Sequence, residues 1–366
     1  MLTTLSATLL FFLPAVQPQD SLVLVTGKIL EVKKITAETF KEVTFSLGSG
    51  SSGRKSADQV LEVRHNYSST LLNDYVSGME AMDVGDFANA VGLFQDVLND
   101  NRVMSKSRYG WVKQHAMYRQ ARCMFALADF SGVSAKVKEL LVAIPETFFY
   151  APAMMLQAES SRLNQDAAGA KAAYQQLTKA VIDLGLPERW ARESELALLL
   201  LDTSVKGKEL EVKLAGLAEK NIDQYPTVAS RANVEIGNAM VEATQYDKAE
   251  RFFKKIVISG AADDLTLASA YSGLGDVWFR RGLDNEDLGA AKVQYQEAAL
   301  NHLRVVVMHK DAVSLVPRSH YYAAMALHRM NEELARLQSR QLASRLVRHY
   351  GKSSWTARLK QDLNLR

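Results

Sequence analysis

The sequence predicts a mostly α-helical protein: an α-α superhelix of about six to seven helix pairs, preceded by a small β-rich module. Three observations predict this. The apolar residues change from strand-like alternation to helical spacing near residue 70. A glycine–alanine–aromatic spacing then recurs at two distant points of the chain. Only 7 prolines and 20 glycines occur in 366 residues, which leaves room for long regular segments. Hydrophobic residues at 48% and charged residues at 23% belong to a folded chain and exclude a disordered one.

Residues 1–19 are read as a signal peptide or hydrophobic N-terminus. The stretch from Leu5 to Val16 is apolar, and the first charge is Asp20. The run is short of the ~20 residues a membrane span needs. Pro14 and the small Ala15 suit the end of a secretory signal core, although a basic start and an A-x-A site are missing. The expectation is export to the periplasm or cell envelope, with the cytoplasm as the alternative.

Residues 20–66 form the expected β-strand module. Val23, Val25, Ile29, Val32, Val43, Phe45, Val60 and Val63 fit three or four strands, with Gly27 in a tight turn. Gly48 and Gly53 have the gap of a phosphate-binding loop, but Arg54 stands where the lysine belongs and a strand-like segment follows. A hairpin tip fits better. So small a module buries little core alone, so it is expected to lean on the first helices.

Residues 70–366 carry the repeat. Gly78 is followed twelve residues later by Ala90 and four later by Phe94, and Gly237, Ala249 and Phe253 repeat that spacing. Gly85 and Phe87 sit in the turn of the first unit, and Tyr246 matches Phe87. Small residues are needed where paired helices cross, and the aromatic fills the next gap along the same face. Ala121, the Ala128–Phe130 turn and Pro145 mark a second unit; Ala158, Ala170 and Tyr174 a third. Pro226 closes a fourth, and Tyr271, Leu274, Gly275 and Trp278 open a sixth whose second helix comes late, after an insertion near 280–290. Pro317–Leu359 is a divergent last pair suited to capping the array.

These residues resemble the tetratricopeptide repeat (TPR), over most of the chain after residue 70. The resemblance implies a bacterial scaffold or adaptor without enzymatic activity, whose first helices line a concave, partner-binding face. Carried over by repeat phase, the lining residues are Tyr75 and Met79, His115, Tyr118 and Arg122, Arg231 and Asn238, Asp276 and Arg280, and Arg318, Tyr321 and Arg329. Arginine beside tyrosine suits a protein or peptide partner bearing carboxylates.

No motif for chemistry competes with this reading. There is no HExxH, no GxSxG and no dinucleotide fingerprint. Cys123 is the only cysteine, which rules out an internal disulfide and a paired-cysteine metal motif. His302 and His309, and His320 and His328, share helix faces but lack a carboxylate at ligand spacing. No metal, cofactor or small-molecule substrate is therefore expected. The net charge of +3 is too small to point to nucleic acid. It is unevenly spread, however: residues 301–366 hold 12 Lys+Arg and 4 Asp+Glu. The alternative function is thus surface docking, in which the basic end binds anionic lipid, cell-wall polymer or nucleic acid, and membrane association runs through that end or the N-terminus.

Overall fold

The structure, a computed structural model, describes residues 19–48, 50–67, 70–260 and 262–364; the expected signal segment lies outside them. Among the described residues the N-terminal module has six strands where three or four were expected: β1 (Asp20–Leu24), β2 (Ile29–Val32), β3 (Lys34–Glu38), β4 (Glu42–Ser46), β5 (Ser52–Ser56) and β6 (Val60–Arg64). They form two antiparallel three-stranded sheets, ordered β2-β1-β6 and β3-β4-β5. Register shifts at Val23/Leu24 and Ile35/Ala37 mark bulges that bend the strands. Gly53 to Lys55 lie inside β5, and strand β6 follows, so the context of a phosphate-binding loop is missing.

Sixteen helices follow among the described residues. Seven pairs can be read along the chain: α1 (Asn73–Asp83) with α2 (Phe87–Asn99), α4 (Gly110–Ala126) with α5 (Phe130–Ala143), α6 (Tyr150–Leu163) with α7 (Ala167–Leu184), α8 (Arg189–Leu201) with α9 (Gly207–Asn221), α10 (Pro226–Glu242) with α11 (Tyr246–Ile258), α12 (Asp264–Asp284) with α13 (Leu288–Met308), and α14 (Val316–Arg329) with α15 (Glu333–His349). The short α3 (Asn101–Met104) bridges the first two pairs, and α16 (Ser354–Asp362) caps the last. The expected insertion near 280–290 is mostly helix: α12 and α13 each run 21 residues and are joined by Asn285–Asp287.

A shared turn explains why consecutive helices fold back. Gly85, Ala128, Gln165 and Thr244 all adopt left-handed backbone, with φ of 80°, 56°, 63° and 56°. In each case the next residue's N–H reaches the carbonyl five positions back: Asp86 to Ala81, Asp129 to Met124, Asp166 to Ser161 and Gln245 to Met240. This is a Schellman closure of the first helix. Asp86, Asp129 and Asp166 then cap the second helix by accepting from the N–H of Asn89, Gly132 and Gly169.

The glycine–aromatic spacing is a close approach. A Cβ on Gly78 would lie 2.9 Å from the Phe94 ring, and one on Gly237 would lie 2.6 Å from Phe253. Both phenylalanines are fully buried. Each ring occupies the volume that the missing side chain leaves, so the helices of those pairs pack with their backbones close.

The β module shares a core with the second and third pairs. Leu22, Val32, Ile35, Val43, Phe45 and Val63 pack with Met117, Ala121, Phe125, Val137 and Phe149. Phe40 inserts among Ala151, Met154, Tyr174 and Leu177. Arg189, at the start of α8, donates to the Asp58 carbonyl at 3.1 Å. The two ends of the array also meet. His349 Nδ1 lies 3.0 Å from the Gly85 carbonyl, Phe87 packs on Tyr350 at 5.6 Å, and Arg122 pairs with Asp311 at 2.7 Å. One apolar cluster accordingly spans Leu72 to Ala126 and Phe279 to Leu359. Among the described residues no helix is long and apolar enough to cross a membrane.

Candidate functional site

Five of the groove residues expected from the sequence converge on one cleft of about 430 Å³ between α12, α14 and α16: Asp276, Arg280, Arg318, Tyr321 and Arg329. Helical spacing brings them together. Asp276 and Arg280 are one turn apart on α12, while Arg318, Tyr321, Tyr322, Met325 and Arg329 recur at three- and four-residue steps along one face of α14. Arg358 and Asp362, again one turn apart, come from α16.

The cleft holds four arginines against two carboxylates. Arg318 donates to Asp276 Oδ2 and to Ser272 Oγ, both at 2.6 Å. Its guanidinium lies 4.7 Å from the Tyr322 ring and 5.7 Å from Trp355. Arg358 lies 5.1 Å from the Tyr321 ring and 5.7 Å from Trp355, with Asp362 at 3.7 Å. Stacking on aromatic faces fixes a guanidinium plane while leaving its N–H edge available to an acceptor. Arg280 pairs with the exposed Glu242, and Arg329 is exposed with no ion pair among the described residues. The Tyr321 hydroxyl donates to Asp362 at 2.5 Å; burial and that acceptor push the phenol up to about 12, so it stays protonated.

Beneath the cleft floor, His302 is fully buried against Gly275 and stacks on Tyr322 at 5.2 Å. Burial, reinforced by Arg318, holds this imidazole well below its ordinary range, so it is neutral. Its Nε2 is 3.6 Å from Asp276 Oδ1. Both ring nitrogens, that carboxylate oxygen and Ser319 Oγ have no hydrogen-bond partner among the described residues.

The other expected groove residues do not join the cleft. Tyr75 is buried, accepts from Arg119 at 3.1 Å and packs on Phe94. Met79 is half-buried against the same core. Tyr118 stacks on Phe149 at 4.4 Å, and Arg122 is tied to Asp311. Arg231 bridges Glu193 at 2.6 Å and Asp263 at 2.7 Å, and Asn238 donates to Glu235 at 3.0 Å. Most of them are taken up by neighbouring helices, while the β module packs against α4 through Met117, Ala121 and Phe125.

His115 belongs to a second cluster that the sequence did not reveal. Its Nε2 lies 2.8 Å from Glu38 Oε2, and His65 Nε2 contacts Glu38 Oε1. The three side chains are 2%, 2% and 7% exposed for His115, Glu38 and His65. Burial works to raise the Glu38 carboxyl, but the two imidazoles more than offset it and hold it down to about 2. His65 stacks on Trp111 with ring centroids 4.2 Å apart. Among the described residues this is the one group of three His, Cys, Asp or Glu donors close enough to hold a metal ion. Its members come from β3, the segment after β6 and α4, so no local spacing announces them.

Comparison with protein-family models finds no match for this chain, and comparison with curated proteins finds none.

Proposed function

We propose that this protein is a non-enzymatic scaffold that binds a carboxylate-bearing segment of a protein partner in the α12–α14–α16 cleft. The helical array is read as of the tetratricopeptide type, and its site of action as the cell envelope. The observation carrying this reading is the set of aromatic-backed arginines, Arg318 and Arg358, beside the unpaired Arg329. A carboxylate entering there meets the guanidinium of Arg358, held against Tyr321 and Trp355, and that of Arg329, while Arg318, tied to Asp276 and Ser272, contributes charge; the preorientation of Arg358 reduces the entropy lost on binding. The test is fluorescence polarisation with a labelled peptide ending in two acidic residues and a free carboxylate. Binding to the full chain is expected to fall at least about tenfold for Arg329→Glu/Arg358→Glu and for the amidated, neutral peptide, the loss of one charge-assisted pair. Equal binding by wild type and variant would remove the cleft from the reading.

Surface docking is the second reading, and α15 favours it. Arg336, Arg340, Arg345 and Arg348 are exposed there beside Leu334 and Leu337, which are 67% and 52% exposed. Retention on anionic vesicles that salt abolishes, with no peptide binding, would select it.

A further inference from the structure

We propose that Glu38, His65 and His115 form a binding site for a divalent transition-metal ion of the zinc class, which clips the β module onto the helical array. The candidate ligand atoms all lie within 4.8 Å of one another. Both histidines present the same nitrogen, Nε2, to the two oxygens of one carboxylate. Each Nε2 faces a carboxylate oxygen either by donating its own N–H, as in an ordinary hydrogen bond, or by sharing a metal ion with it, and a cluster of three such donors suits the second arrangement. Donors around a tetrahedral zinc stand about 3.3 Å apart, from metal–donor distances of about 2.0–2.2 Å. The 2.8 Å separation of His115 Nε2 from Glu38 reaches that value with a small opening of the side chains. Two imidazoles with one carboxylate select zinc or cobalt over magnesium or calcium, which prefer oxygen alone.

The surroundings suit a metal site. Ring orientation at His65 is fixed by the parallel Trp111 face, 7° from coplanar. Beyond it, Asp20 Oδ2 stands 3.9 Å from His65 Nδ1, the place where an outer carboxylate orients a metal-bound histidine. Asp20 is itself held by the N–H groups of Ile35 at 2.7 Å and Asn66 at 2.6 Å. At His115 the rings of Trp111 and Phe149 stand nearly perpendicular, at 5.3 and 4.8 Å. The pocket is therefore rigid and largely dry. Its ligands are 27 and 77 residues from Glu38 along the chain, so a bound ion joins three elements that no disulfide can link in a chain with one cysteine.

The experiment uses the untagged full chain, stripped with chelator and titrated with Co²⁺ and then Zn²⁺. The expected result is one Co²⁺ per chain with a ligand-field absorption band, displaced by Zn²⁺, and a melting temperature that rises with Zn²⁺ concentration. Glu38→Gln and His65→Gln are each expected to weaken binding at least about 100-fold, the upper end of what even outer-shell changes cost. His328→Gln, at an exposed histidine, leaves it unchanged. Binding that survives both Glu38→Gln and His65→Gln overturns the proposal, as does no binding at micromolar metal. If either variant fails to fold by circular dichroism, X-ray absorption of the zinc-loaded wild type decides: scattering from two imidazoles supports the site, and from fewer overturns it.

Discussion

Replacing Arg231 by methionine should destabilise the middle of the array by about 3–4 kcal/mol. Arg231 sits on α10 between two acids on neighbouring helices, Glu193 of α8 and Asp263, the residue that caps α12. Their side chains are 2% and 3% exposed, so neither is solvated once the guanidinium is gone. Breaking a buried ion pair from one side costs about 3–5 kcal/mol. Arg189 moderates this, because it stays 3.4 Å from Glu193 and 3.5 Å from Asp263. Asp263 also keeps Thr266, whose N–H and hydroxyl donate at 3.0 and 2.6 Å. Methionine retains the packing of the arginine stem, so the loss is mainly electrostatic. The double variant Arg231→Met/Glu193→Met restores neutrality around the Arg189–Asp263 pair and should recover about half the loss. Urea unfolding followed by circular dichroism gives the stability change, and hydrogen exchange localises it to α8, α10 and α12. A cost below about 1 kcal/mol, or a double variant worse than the sum of the singles, would refute the reasoning and return Arg231 to the pool of partner-binding residues.

Other consequences follow from single positions. Thr244 is β-branched in left-handed backbone at φ 56°, so Thr244→Gly should stabilise by about 0.5–1 kcal/mol in urea unfolding, and a loss would mean the hydroxyl or methyl packs usefully. Gly237→Ala sets a Cβ 2.6 Å from the Phe253 ring and should destabilise by about 1–3 kcal/mol, whereas Gly216→Ala, at an exposed position of α9, meets nothing within 4 Å and should gain about 0.5–1 kcal/mol. Burial lowers the His320 imidazole to about 4, and Arg345 and His349 push the same way. Because the folded value is depressed, its stability contribution is complete above about pH 6.5 and lost as pH falls toward 4; His320→Gln should flatten that slope of the urea midpoint, worth about 3 kcal/mol in all. Burial raises the Cys123 thiol to about 12, so a disulfide reagent should leave it unmodified in the native chain and label it promptly in urea.

The sequence by itself determined the helical pairs, because their period, crossing residues and turns are local. Gly78 with Phe94 and Gly237 with Phe253 lie 16 residues apart, within one helix pair, and the spacing that packs them is written in the chain. The same holds for Arg318, Tyr321 and Arg329, which share a face because they share a helix. The charge- and glycine-rich Arg280–Gly289 reads in sequence as an insertion, yet its first five residues continue α12. Tertiary structure alone decided what faces what. Helical phase places His115 on an inner face, but only the docking of β3 sets Glu38 against it and puts His65 on the other oxygen. Nor does phase say that Arg231 meets Glu193 and Asp263 rather than a partner. Such contacts join residues 27 to 77 positions apart, beyond the reach of any local pattern, and once buried each charge needs its partner because an unpaired buried charge is costly.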